Sequence, residues 1–276
     1  MRILITGAGG QLGHDLQAVF REEEVYARDH GALDISDQAA VRALVGEIHP
    51  DWIVNGAAFN DVDGAESAEN AAFAVNARGP ANLATAAAMV GAGLVHISTD
   101  YVFDGKKGSA YTEDDRPNPL SVYGRSKYEG ERSVLESAAS ACVLRTAWLY
   151  GAHGKNFVKA ILVRAKEGRP LDVVADQVGS PTSTQDLAEA INKLIRTPAR
   201  GLFHVANAGA CSRFEFARAI VRGAVEVRPI TTAQARRPAP RPANSSLMSL
   251  RWKATGLPPL RPWQAALDDF LDSDFA

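Results

Sequence analysis

The sequence predicts an α/β fold: a doubly wound parallel sheet with a smaller, interleaved C-terminal α/β unit. Three stretches carry that expectation. Arg2-Ile3-Leu4-Ile5-Thr6 is a strand pattern that runs into Gly7-Ala8-Gly9-Gly10-Gln11-Leu12-Gly13, after which Leu16, Val19 and Phe20 continue from Leu12 at helical period. Leu94-Val95-His96-Ile97 reads as a buried parallel strand that stops in Ser98-Thr99-Asp100. Tyr123-Gly124-Arg125-Ser126-Lys127 then opens a second run with helical spacing.

Composition narrows the class of molecule. A chain of 276 residues, 46% hydrophobic, buries a large core and is long for one compact domain. The net charge of −2 and mixed-sign surface give no electrostatic footprint for nucleic acid. No apolar run approaches the ~20 residues of a membrane span. The first residues enter a strand without the charged and apolar regions of a signal peptide, so a cytoplasmic protein is expected. Cys142 and Cys211 form no metal spacing and are expected to be reduced packing residues.

Strand, glycine turn and helix together form a Rossmann-type nucleotide-binding unit. The glycines permit a tight turn and close approach of a pyrophosphate, which the helix N-terminus then meets with free N–H groups. Gly7, Gly10 and Gly13 give G-x-x-G-x-x-G, with Leu12 standing where strict G-x-G-x-x-G has its third glycine. Around Val25-Tyr26-Ala27 a second strand leads to Arg28 and Asp29. An acid there suits the ribose hydroxyls of NADH and an arginine suits the 2′-phosphate of NADPH, so both cofactors stay open. Asp34 is placed for the adenine side, while Ser36 and Asp37 also suit the cap of a helix over residues 37–48. Trp52-Ile53-Val54-Asn55 is the third strand. The small residues after it, Gly56, Ala57 and Ala58, with Phe59 and Asn60, let the loop pass close to a flat ring. Residues 71–90 read as one Ala-rich helix bent near Gly79-Pro80.

The 94–131 stretch carries the chemistry. Positions four apart share a helix face, so Lys127 is expected beside the Tyr123 phenol, lowering its pKa and suiting Tyr123 as a general acid toward a carbonyl oxygen. Thr99, at a carboxyl strand end, offers that oxygen a second hydrogen bond. Cys142-Val143-Leu144-Arg145 is a further strand. Trp148 lies beyond it, where an aromatic either stacks on a ligand ring or packs in the core.

From residue 151 the character changes. Helices are expected over 157–166, 184–196 (capped by Thr184), 212–222 (begun by Ser212) and 263–270, with strands at 171–174 and 201–205. The Pro- and Arg-rich segment 236–245 reads as a loop whose cations either meet a phosphate or are solvated. Residues 1–150 are thus expected to form a dinucleotide-binding domain, which also receives part of 170–205, and residues 151–276 mainly a substrate-binding domain.

Taken together, the chain resembles the extended short-chain dehydrogenase/reductase family, and within it the dTDP-4-dehydrorhamnose reductases. GAGGQLG, DWIVNGAAFNDVDGAES, HISTDYVFDG, NPLSVYGRSKYEGE, RTAWLYG, NFV, DQVGSPTST and RPANSSL carry the likeness. The resemblance implies that Gly10, Gln11 and Leu12 contact the pyrophosphate, with Asp29, Asp34 and Ile35 on the adenosine side. It implies that Ala58, Phe59 and Asn60 line the nicotinamide path. Tyr123 is then the proton donor, Lys127 holds the nicotinamide ribose and tunes Tyr123, and Thr99, Asp100 and Trp148 contact a dTDP-sugar. The implied reaction is NADPH- or NADH-dependent reduction of the C4 keto group of dTDP-4-dehydro-β-L-rhamnose. Dehydratases of the family place Asp-Glu after the strand-end Thr, whereas here Asp100 is followed by Tyr101. A reductase of another dTDP-4-keto-6-deoxyhexose, or a non-catalytic dinucleotide-binding subunit, are the alternatives. A monomer or homodimer is expected. No catalytic metal is expected, although Asp186 and Glu189 are candidate ligands for a metal at a dimer interface.

Overall fold

In a computed structural model, which describes residues 1–137 and 139–273, the first 146 residues, joined by one later strand and helix, build one sheet and its covering helices. The elements run β1 (Arg2–Thr6), α1 (Gln11–Val19), β2 (Glu24–Arg28), α2 (Gln38–Ile48), β3 (Trp52–Asn55), α3 (Val62–Ala65), α4 (Glu69–Phe73), α5 (Gly79–Val90), β4 (Gly93–Thr99), α6 (Val122–Leu135) and β5 (Ser140–Thr146). They continue with β6 (Leu149–Tyr150), α7 (Phe157–Ala165), β7 (Leu171–Val174), β8 (Val178–Gly179), β9 (Thr182–Ser183), α8 (Thr184–Leu194), β10 (Gly201–His204), β11 (Cys211–Ser212), α9 (Arg213–Val221), β12 (Val227–Ile230), α10 (Thr232–Ala235) and α11 (Trp263–Leu271). The main sheet has six parallel strands in the order β10-β5-β4-β3-β1-β2. The order reverses at β1, between β2 and β3, which opens a crevice beyond the carboxyl strand ends.

Burial on both faces explains the continuous apolar runs in these strands. Ile3 and Ile5 pack with Leu12 and Leu16 of α1 and Leu187 and Ile191 of α8 on one side. Leu4 and Ile53 pack with Val41 and Val45 of α2 and Leu83 and Ala87 of α5 on the other. Both β10 and α8, drawn from residues 184–204, therefore serve the sheet begun by the N-terminal half. The remaining C-terminal elements close round a core of their own, in which Tyr150, Ile161, Val173, Phe216, Trp263 and Leu267 meet.

Two local expectations need correction. The break in the 71–90 run is not a proline bend: residues Ala74–Arg78 form a π-helical turn between α4 and α5, with Pro80 in the first turn of α5. Such turns mark functional sites in many helices. Here the turn seats Asn76, whose side chain accepts from Phe59 N (2.8 Å) and donates to Phe59 O (3.1 Å) and Ser126 Oγ (3.0 Å), pinning the loop after β3 to α6. The N-cap of α8 is Ser183 rather than Thr184, because the Thr184 hydroxyl donates instead to Tyr150 O at 3.2 Å. Asp37 does cap α2, accepting from Ala39 N and Ala40 N. Ser212 and Glu215 form a reciprocal capping box that starts α9. Both cysteines are buried and free.

Candidate active site

The crevice over the carboxyl strand ends contains two adjoining cavities that share Gly7, Gly10, Gly56, Ala58 and Asn60. Their shared wall is built largely of glycine backbone. Gly7 has φ +69°, and a Cβ on Gly13 would lie 2.4 Å from Gly7 O. Only glycine lets α1 start this close to the β1 turn. The N-cap of α1, Gly10, supplies no side-chain hydrogen bond, so the first-turn N–H groups keep their positive end for a ligand anion.

The outer cavity, about 540 Å³, is lined by Asp29, Asp34, Ile35, Ala57 and Phe59. Asp29 accepts from Ala32 N at 2.9 Å and faces this space. Asp34 accepts from both Ser36 N and Ser36 Oγ, which hold its carboxyl below the usual carboxylate range. Arg28 is the one predicted cofactor residue that lines neither cavity. Its guanidinium turns back onto Ala27 O at 3.0 Å.

The inner cavity, about 370 Å³, brings together Gln11, Leu12, Thr99, Asp100, Tyr123, Lys127 and Trp148. Helix α6 delivers Tyr123 and Lys127, and its seat is specified from below. Glu131 is 1% exposed and takes a two-pronged bond from Arg145 of β5 (2.8 and 2.7 Å) and another from Ser98 Oγ of β4 (2.5 Å). Removing one partner of such a buried pair costs about 3–5 kcal/mol. Close approach does the rest. A Cβ on Gly130 would lie 2.1 Å from Asn76 O, and one on Gly124 2.3 Å from Tyr101 O.

The electrostatics overturn one expectation. Lys127 does not lower the Tyr123 pKa. Burial raises the phenol well above the usual tyrosine value, with the Thr99 hydroxyl opposing that rise. Lys127 Nζ donates to Ile97 O at 2.5 Å, and burial pushes its own pKa down to about 8. Tyr123 thus holds its proton throughout the neutral range. Asp100, 2% exposed, is pushed up to about 6 by burial against the opposing pull of Ser245, Arg213 and Thr99.

Further groups line or brace the inner cavity. Arg213, first residue of α9, lies with its guanidinium 3.5 Å from the Trp148 ring centroid and also faces Tyr101. Trp148 itself has φ +49°, uncommon for a bulky residue, and its indole presses so closely on Gly179 that a Cβ there would come within 2.3 Å. One ring face is therefore covered by a cation. Tyr101 meets Tyr123 edge-on, with centroids 5.7 Å apart. Asn156, the N-cap of α7, donates to Gln11 Oε1 at 3.0 Å and ties the C-terminal half to the glycine turn. Its signal was legible in principle, as a capping residue before an apolar helical run. The arginine-rich loop is spent mainly on structure: Arg241 grips both oxygens of Asp63 at 3.0 and 2.9 Å.

The residues present fit a dinucleotide. The uncapped helix start, the glycine-rich wall and Asp29 border one track, and Thr146 Oγ1, buried and without a partner, lines the inner cavity. Among the described residues no group of three or more His, Cys, Asp or Glu is placed to hold a metal ion. Asp186 is engaged by Arg261 Nε at 2.9 Å and Asn207 Nδ2 at 2.6 Å. Among the described residues no helix is long and apolar enough to cross a membrane.

Known proteins are similar to this chain along nearly all of its length. A dTDP-4-dehydrorhamnose reductase of Mycobacterium tuberculosis is 49% identical over 279 residues, 96% of this chain and 91% of the relative. A probable dTDP-4,6-dihydroxy-2-methyloxan-3-one 4-ketoreductase of Streptomyces antibioticus is 46% identical, covering 97% and 93%. The crystal structure of a Bacillus anthracis dTDP-4-dehydrorhamnose reductase in complex with NADP superposes with a TM-score of 0.95 at 43% identity, covering 98% of both chains. The RmlD substrate binding domain family matches residues 1–275, and this chain belongs to it.

Proposed function

We propose that this protein is an NAD(P)H-dependent oxidoreductase that reduces the C4 keto group of dTDP-4-dehydro-β-L-rhamnose to give dTDP-L-rhamnose. The observation that carries the reading is the buried Tyr123 beside Thr99 and Lys127 in a cavity continuous with the glycine track. It is supported by relatives at 49% and 43% identity that are named for this reaction. We assign residues 1–150, with β10 and α8, to the dinucleotide unit, and most of 151–276 to the sugar-nucleotide unit.

The reduced dinucleotide supplies the hydride. Gly7, Gly10, Gln11 and Leu12 hold its pyrophosphate against the start of α1, and Asp29, Asp34 and Ile35 border its adenosine side. The Asp29 carboxylate suits a ribose diol better than a 2′-phosphate. Ala57, Ala58, Phe59 and Asn60 line the path of the nicotinamide. Lys127 has three N–H donors and gives one to Ile97 O, leaving others for ribose hydroxyls. Thr99 orients the carbonyl oxygen, and Tyr123 gives it a proton. A raised phenol remains competent here, because an alkoxide developing at that oxygen is a stronger base than a phenolate. Asp100, Trp148 and Arg213 border the sugar nucleotide, with Arg213 and Lys155 the cations available to it.

The test is oxidation of NADH and NADPH with dTDP-4-dehydrorhamnose, comparing wild type with Tyr123→Phe. Turnover is expected to fall ~10²- to 10⁴-fold in the variant with dinucleotide affinity kept. An active wild type and an equally active variant would sink the acid assignment. Turnover only with another dTDP-4-keto-6-deoxyhexose would move the substrate toward that of the 46% identical ketoreductase.

A further inference from the structure

At the carboxyl end of β4 three oxygen-bearing side chains follow one another. The Tyr123 phenol and the Thr99 hydroxyl border the same cavity, close enough for Thr99 to oppose the rise in the phenol pKa. Thr99 Oγ1 donates to Asp100 Oδ1 at 3.1 Å and accepts from Tyr101 N at 3.2 Å. The second carboxyl oxygen, Asp100 Oδ2, accepts from Ser245 Oγ at 2.5 Å. Both Thr99 and Asp100 are buried, yet both line the inner cavity. The charged and titratable groups round the carboxyl are Arg213 from α9, Tyr123 and Lys127 from α6, and Tyr101 with its Arg241 neighbour.

We infer that Asp100 is the proton reservoir of the reaction, resupplying Tyr123 through the Thr99 hydroxyl. The inference rests on Tyr123 being the acid. Its core is direction. A threonine hydroxyl has one proton and two lone pairs, and one lone pair is taken by Tyr101 N–H. With Asp100 ionised, Thr99 spends its proton on the carboxylate and can only accept from Tyr123, which draws the phenol proton away from the substrate. With Asp100 protonated the chain reverses. Asp100 donates to Thr99, Thr99 donates to the phenol oxygen, and the phenol proton is directed to the carbonyl oxygen.

The transfer balances. The substrate oxygen bonds the phenol hydrogen as that O–H bond breaks. The phenolate oxygen takes the Thr99 proton, Thr99 takes the Asp100 proton, and the Asp100 carboxylate is reprotonated by water through the cavity. Burial pushes the Asp100 carboxyl up to about 6, so the protonated form persists far closer to neutrality than for a solvated aspartate.

The experiment measures pH profiles of kcat and KM, with solvent deuterium proton inventories, for wild type and Asp100→Asn. Wild-type kcat is expected to be level in acid and to fall about tenfold per pH unit above pH 6. Asp100→Asn is expected to lose ~10- to 100-fold in kcat at pH 6 and to lack that limb. Its dinucleotide Kd should stay within about threefold, because the amide keeps the shape and a donor toward Thr99. The inventory should change from curved, with several protons in motion, to linear. Formate added to Asp100→Ala should restore part of the turnover, which a purely structural aspartate would not permit. An infrared titration that places the Asp100 carboxyl below pH 4 overturns the inference, as does an Asp100→Asn enzyme keeping the wild-type limb and rate. If Tyr123→Phe is inactive at every pH while Asp100→Asn behaves as wild type, the relay alone falls. If Tyr123→Phe is active, the acid reading falls first.

Discussion

The glycine wall and the inner end of the crevice are built by opposite means. The wall, where we seat the dinucleotide pyrophosphate, is largely backbone: Gly7, Gly10, Gly56 and Ala58 border both cavities, and Gly13 borders the inner one. The inner end is made of large and charged side chains gathered from β4, α6, the β5–β6 turn, α7 and α9. A wall of backbone is all-or-none, since one methyl group either fits or does not. A wall of side chains is graded, since each contributes a separable contact.

The sharpest way to break that contrast is to add one carbon to the glycine wall. A Cβ on Gly13 would lie 2.4 Å from Gly7 O and 2.6 Å from Ala8 O, and backbone cannot yield as a flexible side chain does. Gly13→Ala is therefore expected to weaken dinucleotide binding by more than ~100-fold or to prevent folding. Fluorescence titration and circular dichroism would separate the two. Gly46→Ala is the control, in mid α2 with nothing near its Cβ, and should add about 0.5–1 kcal/mol of stability. Dinucleotide affinity within threefold of wild type in Gly13→Ala would show that the wall is not all-or-none.

A smaller, graded loss is expected from Arg213→Met at the inner end. Losing a charge-assisted contact costs about 1.5–3 kcal/mol, so substrate KM should rise ~10- to 100-fold with dinucleotide Kd unchanged. Trp148 fluorescence should shift as its cation leaves the ring. An unchanged KM would place Arg213 in the scaffold supporting Trp148 rather than at the sugar nucleotide.

The same contrast explains what could be read from sequence. The glycine turn, β3 and its small residues, and the 123–127 pair are each local in the chain, so spacing alone located them. Arg213 has no sequence relation to Tyr123, 90 residues earlier (213 minus 123), and only the closure of the C-terminal unit brings it in. Where spacing misled, burial was the missing quantity. An i, i+4 pair on a solvated helix would lower the phenol pKa, but both members here are buried, and the Lys127 ammonium is drawn to a carbonyl of β4. Arg28 and Asp29 were inseparable in sequence because adjacent strand residues point oppositely, and only the sheet decides which one meets the crevice. The π turn at 74–78 was hidden by an Ala-rich run with Gly79-Pro80 close by, a more obvious place to break a helix.

The smallest predicted effect concerns stability, and its sign separates the wall from the inner end. Adding Cβ at Gly13 lowers stability at every pH. Asp100→Asn should raise it, and only above a threshold. The Asp100 pKa is raised from 3.8 to about 6 on folding. Below pH 4 the carboxyl is protonated in both folded and unfolded chains, so it adds no pH-dependent difference. Between pH 4 and 6 the unfolded chain ionises freely while the folded chain resists, and the wild type loses stability as pH rises. The full loss is reached above pH 6. At 1.36 kcal/mol per unit this is about 3 kcal/mol as an upper bound, which relaxation and water in the cavity reduce. Asparagine carries no charge to desolvate and keeps an acceptor for Ser245. Its advantage should therefore be about 1–3 kcal/mol at pH 8 and vanish below pH 4, read from urea unfolding at both values. A variant less stable than wild type at pH 8 would mean that Asp100 is already well compensated by Arg213 and its hydroxyl partners. The inner end would then hold no strained charge, and its residues would be placed as much for stability as those of the glycine wall.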